Sequence, residues 1–213
     1  MNLCDVLART AANRRRIADL YDGAAEELWS LPSGCRGWDL RTLLGHLVMP
    51  LVVPPHRLAL RALRCGSVHA ASSQIAAELG CRPGQELTGL LRHNADRVVP
   101  SPGVGPMGQF VDGCIHLYDA ALPLGHEVEL PMGDWELVLS WLPSRAARLG
   151  HVPRGLHAGV AWNATDCPWQ WGAGALVEGP AASLALTMTG RAVGLATLSG
   201  PGLATVRHRL LTG

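Results

Sequence analysis

The sequence predicts a mostly helical α+β protein, with a four-helix bundle over residues 1–130 and a small α+β lobe over residues 131–213. Three observations carry that expectation. Apolar residues recur at helical spacing through most of the first 125 positions. After Pro123-Leu124-Gly125 the texture changes to short extended runs rich in glycine and tryptophan. Finally, 48% hydrophobic against 16% charged residues in 213 positions gives ample core and little room for disorder.

The first helix is expected from Leu3 to about Leu28, with Leu7, Ala11, Ile17, Leu20, Ala24 and Leu28 on its apolar stripe. Arg14 to Arg16 interrupt that stripe and read as a solvated face in preference to a phosphate contact. Pro32, Ser33, Gly34 and Gly37 make Trp29 to Trp38 a rigid turn region. Asp39 caps a second helix, which runs through His46 and is kinked by Pro50. Pro55 to Arg64 and Ser72 to Leu79 read as shorter helices. Gln85 to Val99 reads as a longer one, with Leu87, Leu90, Leu91, Ala95 and Val98 inward. Pro100 to Gly108 is a connector, and the last bundle helix carries Asp112 and His116 and ends near Pro123.

In the lobe, Met132 to Leu149 is expected to be helical, with Trp135, Val138, Leu139 and Leu142 inward and Pro143 acting to shorten it. Leu156 to Thr165 reads as a strand bearing Trp162, and Trp169 to Val177 as one glycine-rich extended run. Thr165 to Pro168 turn the chain between them, which predicts a hairpin. Ala181 to Thr189 is helical, with Pro180 near its start, and Leu203 to Leu211 forms the last helix.

Composition narrows the function classes. A net charge of +1 supplies no broad field for nucleic acid or a membrane surface. The densest apolar run, Leu47 to Val53, is far shorter than a membrane span and stops at Pro54-Pro55. The six cysteines include no C-x-x-C pair. The first residues, MNLCDVLARTAANRRR, hold no apolar stretch of signal-peptide length. The expectation is a cytoplasmic protein with reduced thiols, monomeric or homodimeric, whose partner is a small molecule.

The chemistry concentrates in Val111 to Asp119, V-D-G-C-I-H-L-Y-D. On a helix, Asp112 and His116 leave the same face one turn apart, with Cβ atoms roughly 5–6 Å from each other. One helix uses that spacing to give two ligands to one metal ion. The same spacing also suits a solvated ion pair, but Phe110, Val111, Ile115, Leu117 and Tyr118 argue for burial, and a buried carboxylate beside an imidazole needs a partner. Asp119 lies one turn further along. His46 is the candidate third ligand. A histidine on an apolar face is commonly a core residue, yet facing bundle helices are also where metal sites are built. Cys114 should point to another side of the helix. Trp169 and Trp171 are candidates to line a pocket, while His56, His69, His93, His126, His151, His157 and His208 receive no role.

Several motifs resemble the mycothiol-dependent maleylpyruvate isomerase family, within the DinB-like superfamily of metal-binding four-helix bundles. They are W-x-x-P-S-x-C-x-G-W from Trp29 to Trp38, followed by His46-Leu47, and D-x-x-x-H-x-x-D at Asp112, His116 and Asp119. Also similar are A-T-D at Ala164 to Asp166, G-x-G-x-x-V-x-G-P-A from Gly172 to Ala181, and Gly190-Arg191. The resemblance implies a divalent ion, zinc with nickel or iron as rivals, held by His46, Asp112 and His116. It implies mycothiol as cosubstrate. Asp119 would orient a ligand or shuttle a proton, and Arg191 would face the active site and hold an anionic substrate group. Some members have glutamate where Asp112 stands, and many place basic residues where this chain has Ala120-Ala121.

The activity so implied is addition of an activated thiol to an electrophilic small molecule, as an S-transferase or a cis-trans isomerase. Two alternatives use the same residues differently. One is a non-catalytic member that binds a metal or small molecule, and the other a thiol-independent metal hydrolase or lyase in a biosynthetic pathway.

Overall fold

The computed structural model describes residues 2–99 and 103–212. They form nine α-helices, several 3-10 turns and one three-stranded sheet, a mostly α member of the α+β class. Two compact units emerge, residues 1–101 with 116–128, and residues 102–115 with 129–213. The division falls within the helix Gly105–Ala121 (α6).

The first unit contains α1 (Leu3–Asp22), α2 (Leu40–Val52), α3 (Pro55–Cys65), α4 (Val68–Gly80) and α5 (Gly84–His93). Asn2 caps α1 through a reciprocal box with Asp5. The helix stops at Asp22, short of the expected Leu28, because Gly23 closes it and Glu26–Ser30 form a 3-10 turn. That turn buries Trp29 edge-on against Tyr21 at 5.1 Å. Leu28 consequently points outward. Asp39 accepts from Thr42 N–H at 2.7 Å and starts α2 as expected.

Two further expectations are corrected in this unit. α4 is a full 13-residue helix, which packs along α2. α5 ends at His93 rather than Val99, leaving Val98 exposed. Arg14 holds the chain just past that end. Its Nη1 donates to the carbonyls of Asn94 at 3.3 Å, Ala95 at 2.8 Å and Arg97 at 2.8 Å. The basic triplet is therefore partly a structural clamp between α1 and the end of α5, and burial lowers the Arg14 pKa. Arg15 pairs with Asp96.

Glycines set how closely α2 and α4 approach. A Cβ on Gly45 would lie 2.1 Å from the Ala76 carbonyl oxygen, and one on Gly80 would lie 2.7 Å from that of Arg41. The two backbones thus touch directly, beside His46.

The second unit holds the N-terminal part of α6, α7 (Met132–Trp141), α8 (Ala181–Met188), α9 (Leu203–Thr212) and the sheet. α7 ends at Trp141, eight residues before the expected Leu149, and Pro143 follows in the turn. β1 (Val160–Ala164) and β2 (Gln170–Gly172) form the expected hairpin, with Trp162 opposite Trp171. The expected single run from Trp169 to Val177 is in fact two strands. β3 (Ala175–Gly179) crosses to the other side of β1 and pairs with it in parallel, Trp162 opposite Val177. Gly174, at φ 126°, makes this crossing; its absent Cβ would sit 2.1 Å from the Gly159 oxygen. Trp162 and Val177 are buried under the sheet. Asp166 of the A-T-D motif caps α8 from a distance, accepting from Ala181 N–H at 2.8 Å.

Expected Pro100 to Ser101 and Pro102 of the connector lie outside the described residues. None of the six cysteines is in a disulfide. Among the described residues no helix is long and apolar enough to cross a membrane.

Candidate metal centre

α6 is built to bury one face. Phe110, Val111, Cys114, Ile115 and Leu117 are all interior, so its polar residues sit in an apolar setting. Cys114 is one of these packing residues. Asp112 and His116 leave the helix one turn apart. One ligand atom from each, together with one from His46 of α2, lie within 4.8 Å of one another. The His46 and His116 ring centroids are 5.1 Å apart, nearly perpendicular.

Each imidazole is held from behind. His116 Nδ1 lies 2.9 Å from Asp119 Oδ2, and both side chains are buried. A histidine whose Nδ1 bonds a carboxylate presents Nε2 as its ligand atom, with increased basicity. His46 Nδ1 lies 3.4 Å from Ser72 Oγ on α4. Asp119 also bears on Tyr21, whose hydroxyl is pushed far above its ordinary pKa by burial, then by the charges of Asp39 and Asp119.

The turn before α2 forms a wall of this site. Gly34 N–H donates to the Asp119 carbonyl at 2.8 Å, and a Cβ on Gly34 would be 2.5 Å from Asp119 Oδ1. Ser33 Oγ donates to the Trp38 carbonyl at 2.9 Å. Trp38 packs against His46 at a tilt of 47° with ring centroids 4.8 Å apart, and lies 6.4 Å from His116. Reading the sequence residue by residue leaves Trp38, Gly34 and Ser72 without a site role. The W-x-x-P-S-x-C-x-G-W spacing is the signal that could have found Trp38; Gly34 falls on one of its unspecified positions. Nothing in the sequence marks Ser72.

The donor set suits a divalent ion. Two imidazoles and a carboxylate are the ligand types of catalytic zinc sites, and non-haem iron accepts the same set. Two ligand atoms each about 2.1 Å from a shared ion are at most about 4.2 Å apart. The 4.8 Å spread therefore requires only a small rotamer adjustment. Three protein ligands leave positions for a reactant.

Asp112 has a second neighbour. His151 Nε2 lies 3.3 Å from its Oδ1. Burial alone would lower the His151 pKa, but the Asp112 contact and the Gly108 carbonyl outweigh it and the net shift is upward. Arg191 acts electrostatically on His151 in the opposite sense, and its Nη1 donates to the Thr189 carbonyl at 2.6 Å. Trp171 lines a separate cavity of about 350 Å³ in the second unit, with Leu142, Arg148, Val152 and His157. Trp169 does not line it.

Residues 10–121, more than half of the chain, match the family model of the mycothiol maleylpyruvate isomerase N-terminal domain. The fold is similar to a crystal structure of the mycothiol-dependent maleylpyruvate isomerase, at TM-score 0.65 and 13% identity, over 94% of this chain and 93% of that one. A histidine-to-alanine mutant of a mycothiol-dependent maleylpyruvate isomerase gives TM-score 0.64 and 11% identity over the same shares. A search of curated protein sequences finds no match.

Proposed function

We propose, since this chain belongs to the family of the mycothiol maleylpyruvate isomerase N-terminal domain, that it is a metal-dependent enzyme activating mycothiol for addition to a small electrophile. The observation that carries the reading is the convergence of His46, Asp112 and His116 donor atoms within 4.8 Å. A free thiol of pKa about 8.5 is only a few per cent thiolate at neutral pH, and a divalent ion held by these residues supplies the charge that deprotonates it.

In this reading His46, Asp112 and His116 hold the ion, which is zinc, nickel or iron. Asp119 keeps His116 in one tautomer and orientation, and is the residue placed to accept and return a proton through it. Trp38 shields one side of the two imidazoles from water. Arg191, anchored by the Thr189 carbonyl, takes an anionic group of the substrate. The thiolate sulfur forms a bond to an electrophilic alkene carbon, and the π pair moves to the neighbouring carbon beside an electron-withdrawing group. Rotation about the new single bond, followed by return of that pair and departure of sulfur as the thiolate, re-forms the alkene with changed geometry. Protonation of that neighbouring carbon with sulfur retained would instead be S-transfer.

The test is elemental analysis of the purified protein, then cobalt substitution and addition of mycothiol. The expected result is about one divalent ion per chain, absent from His46→Ala, and a sulfur-to-cobalt charge-transfer band on adding thiol. Metal binding without that band would favour a binding role. Turnover that ignores added thiol would favour hydrolysis or a lyase reaction. Metal content unchanged in His46→Ala would end the proposal.

A further inference from the structure

The two ligand histidines of the proposed centre each have a holding contact, through Asp119 and Ser72. The carboxylate ligand gains from the same treatment, because a hydrogen bond to one oxygen limits rotation about its last torsion and the exchange of its oxygens. The residue that meets this need is His151, which comes 39 positions later in the chain than Asp112 and follows the 3-10 turn Ala147–Leu149.

The His151 side chain is only 14% exposed and its ring packs edge-on to Trp141, with centroids 4.8 Å apart at 88°. That packing fixes the ring plane. Nε2 lies 3.3 Å from Asp112 Oδ1 and 3.3 Å from the Gly108 carbonyl oxygen. Gly108 and Asp112 are one helical turn apart, so one ring nitrogen spans a turn of α6. Both neighbours are acceptors, which requires Nε2 to carry the proton. Nδ1 is buried with no hydrogen-bond partner among the described residues, and this disfavours the tautomer that would bury an unsatisfied Nδ1–H. The ring lies against the backbone at Gly108: a Cβ there would make ordinary contact with His151 Cε1, at 3.6 Å.

We propose that His151 is a positioning residue for the metal centre: its Nε2–H bonds Asp112 Oδ1 and turns the other carboxylate oxygen toward the ion. This inference rests on the reading of His46, Asp112 and His116 as ligands. Outer-shell hydrogen bonds of this kind typically change metal affinity about 10–100-fold.

The experiment measures zinc affinity by chelator competition in the full-length protein, for wild type, His46→Ala, His151→Leu and His151→Gln. The expected pattern is near-complete loss in His46→Ala and a Kd weakened about 10–100-fold in His151→Leu. His151→Gln, which keeps an N–H near the Nε2 position, should recover most of the wild-type affinity. Wild-type protein that fails to bind zinc overturns the underlying site. Tight wild-type binding that survives His151→Leu overturns only the role of His151. Loss in His151→Leu as complete as in His46→Ala, with no recovery in His151→Gln, would make His151 a ligand and also overturn the positioning role. A second measurement needs no variant. Nitrogen-15 NMR of the wild-type ring should find Nε2 protonated and Nδ1 bare, and the opposite tautomer refutes the proposal even if His151→Leu fails to fold.

Discussion

Gly45→Ala tests whether the fold of the first unit sets the geometry of the proposed centre. The added methyl would lie 2.1 Å from the Ala76 carbonyl oxygen, against about 3.4 Å for ordinary contact, so α2 and α4 must part locally by about 1.3 Å. The obstacle is backbone, with no flexible side chain to swing aside. Overpacking of this kind costs about 1–3 kcal/mol. For a chain of this size each kcal/mol lowers Tm by about 2–4 °C, giving an expected loss of about 2–12 °C. His46 is the next residue, and its Nδ1 contact to Ser72 joins the same two helices. A separation of this size moves His46 relative to the other two donors by more than the about 0.2 Å within which metal–ligand distances normally fall, so zinc binding should weaken. Thermal unfolding by circular dichroism, with and without zinc, reads both effects. The metal-induced rise in Tm should shrink along with Tm itself. A variant with wild-type Tm and wild-type zinc stabilisation would refute the argument that helix contact positions the ligand.

Asp119→Asn keeps the shape but removes the charge behind His116, and should weaken zinc affinity about 10–100-fold in a competition titration. Asp166→Ala removes the acceptor at the start of α8 and should cost about 1 kcal/mol, read as a small drop in Tm with metal affinity unchanged. His157 contributes a pH dependence of defined sign. Burial lowers its pKa, so the unfolded chain binds the proton more readily than the folded one. Its contribution is therefore fully present above the ordinary imidazole pKa of 6.5, and is lost as pH falls below that toward the lowered folded value. Urea midpoints of wild type and His157→Gln should converge or cross on acidification across that window. A difference that stays constant with pH would contradict this assignment.

Much of the fold was legible where its signals are local. Asp39 as a cap, Pro180 before α8 and the apolar stripe of α1 are each decided within a turn or two of chain. Two of the failures are non-local. α5 looks long enough to reach Val99, but the segment after His93 is held in a non-helical course by Arg14, about eighty residues earlier. The run from Trp169 to Val177 looks like one strand because strand propensity carries no information about which side of β1 the chain will occupy. The Asp112–His116 spacing was readable as a pair, and His46 as a candidate. That Ser72 and His151 stand behind those groups depends on helix contacts and ring packing that no spacing encodes.

Gly34 bears on any attempt to redesign the protein. By surface area it is an open loop position, the sort usually chosen for randomisation. Its amide and its missing side chain nonetheless fix the backbone of Asp119. A library built across the loop should vary outward-facing Arg36 while freezing Gly34 and Trp38. Variants at Gly34 would be discarded in screening as defective at the proposed centre, although what they had lost was the footing of a carboxylate some eighty-five residues downstream.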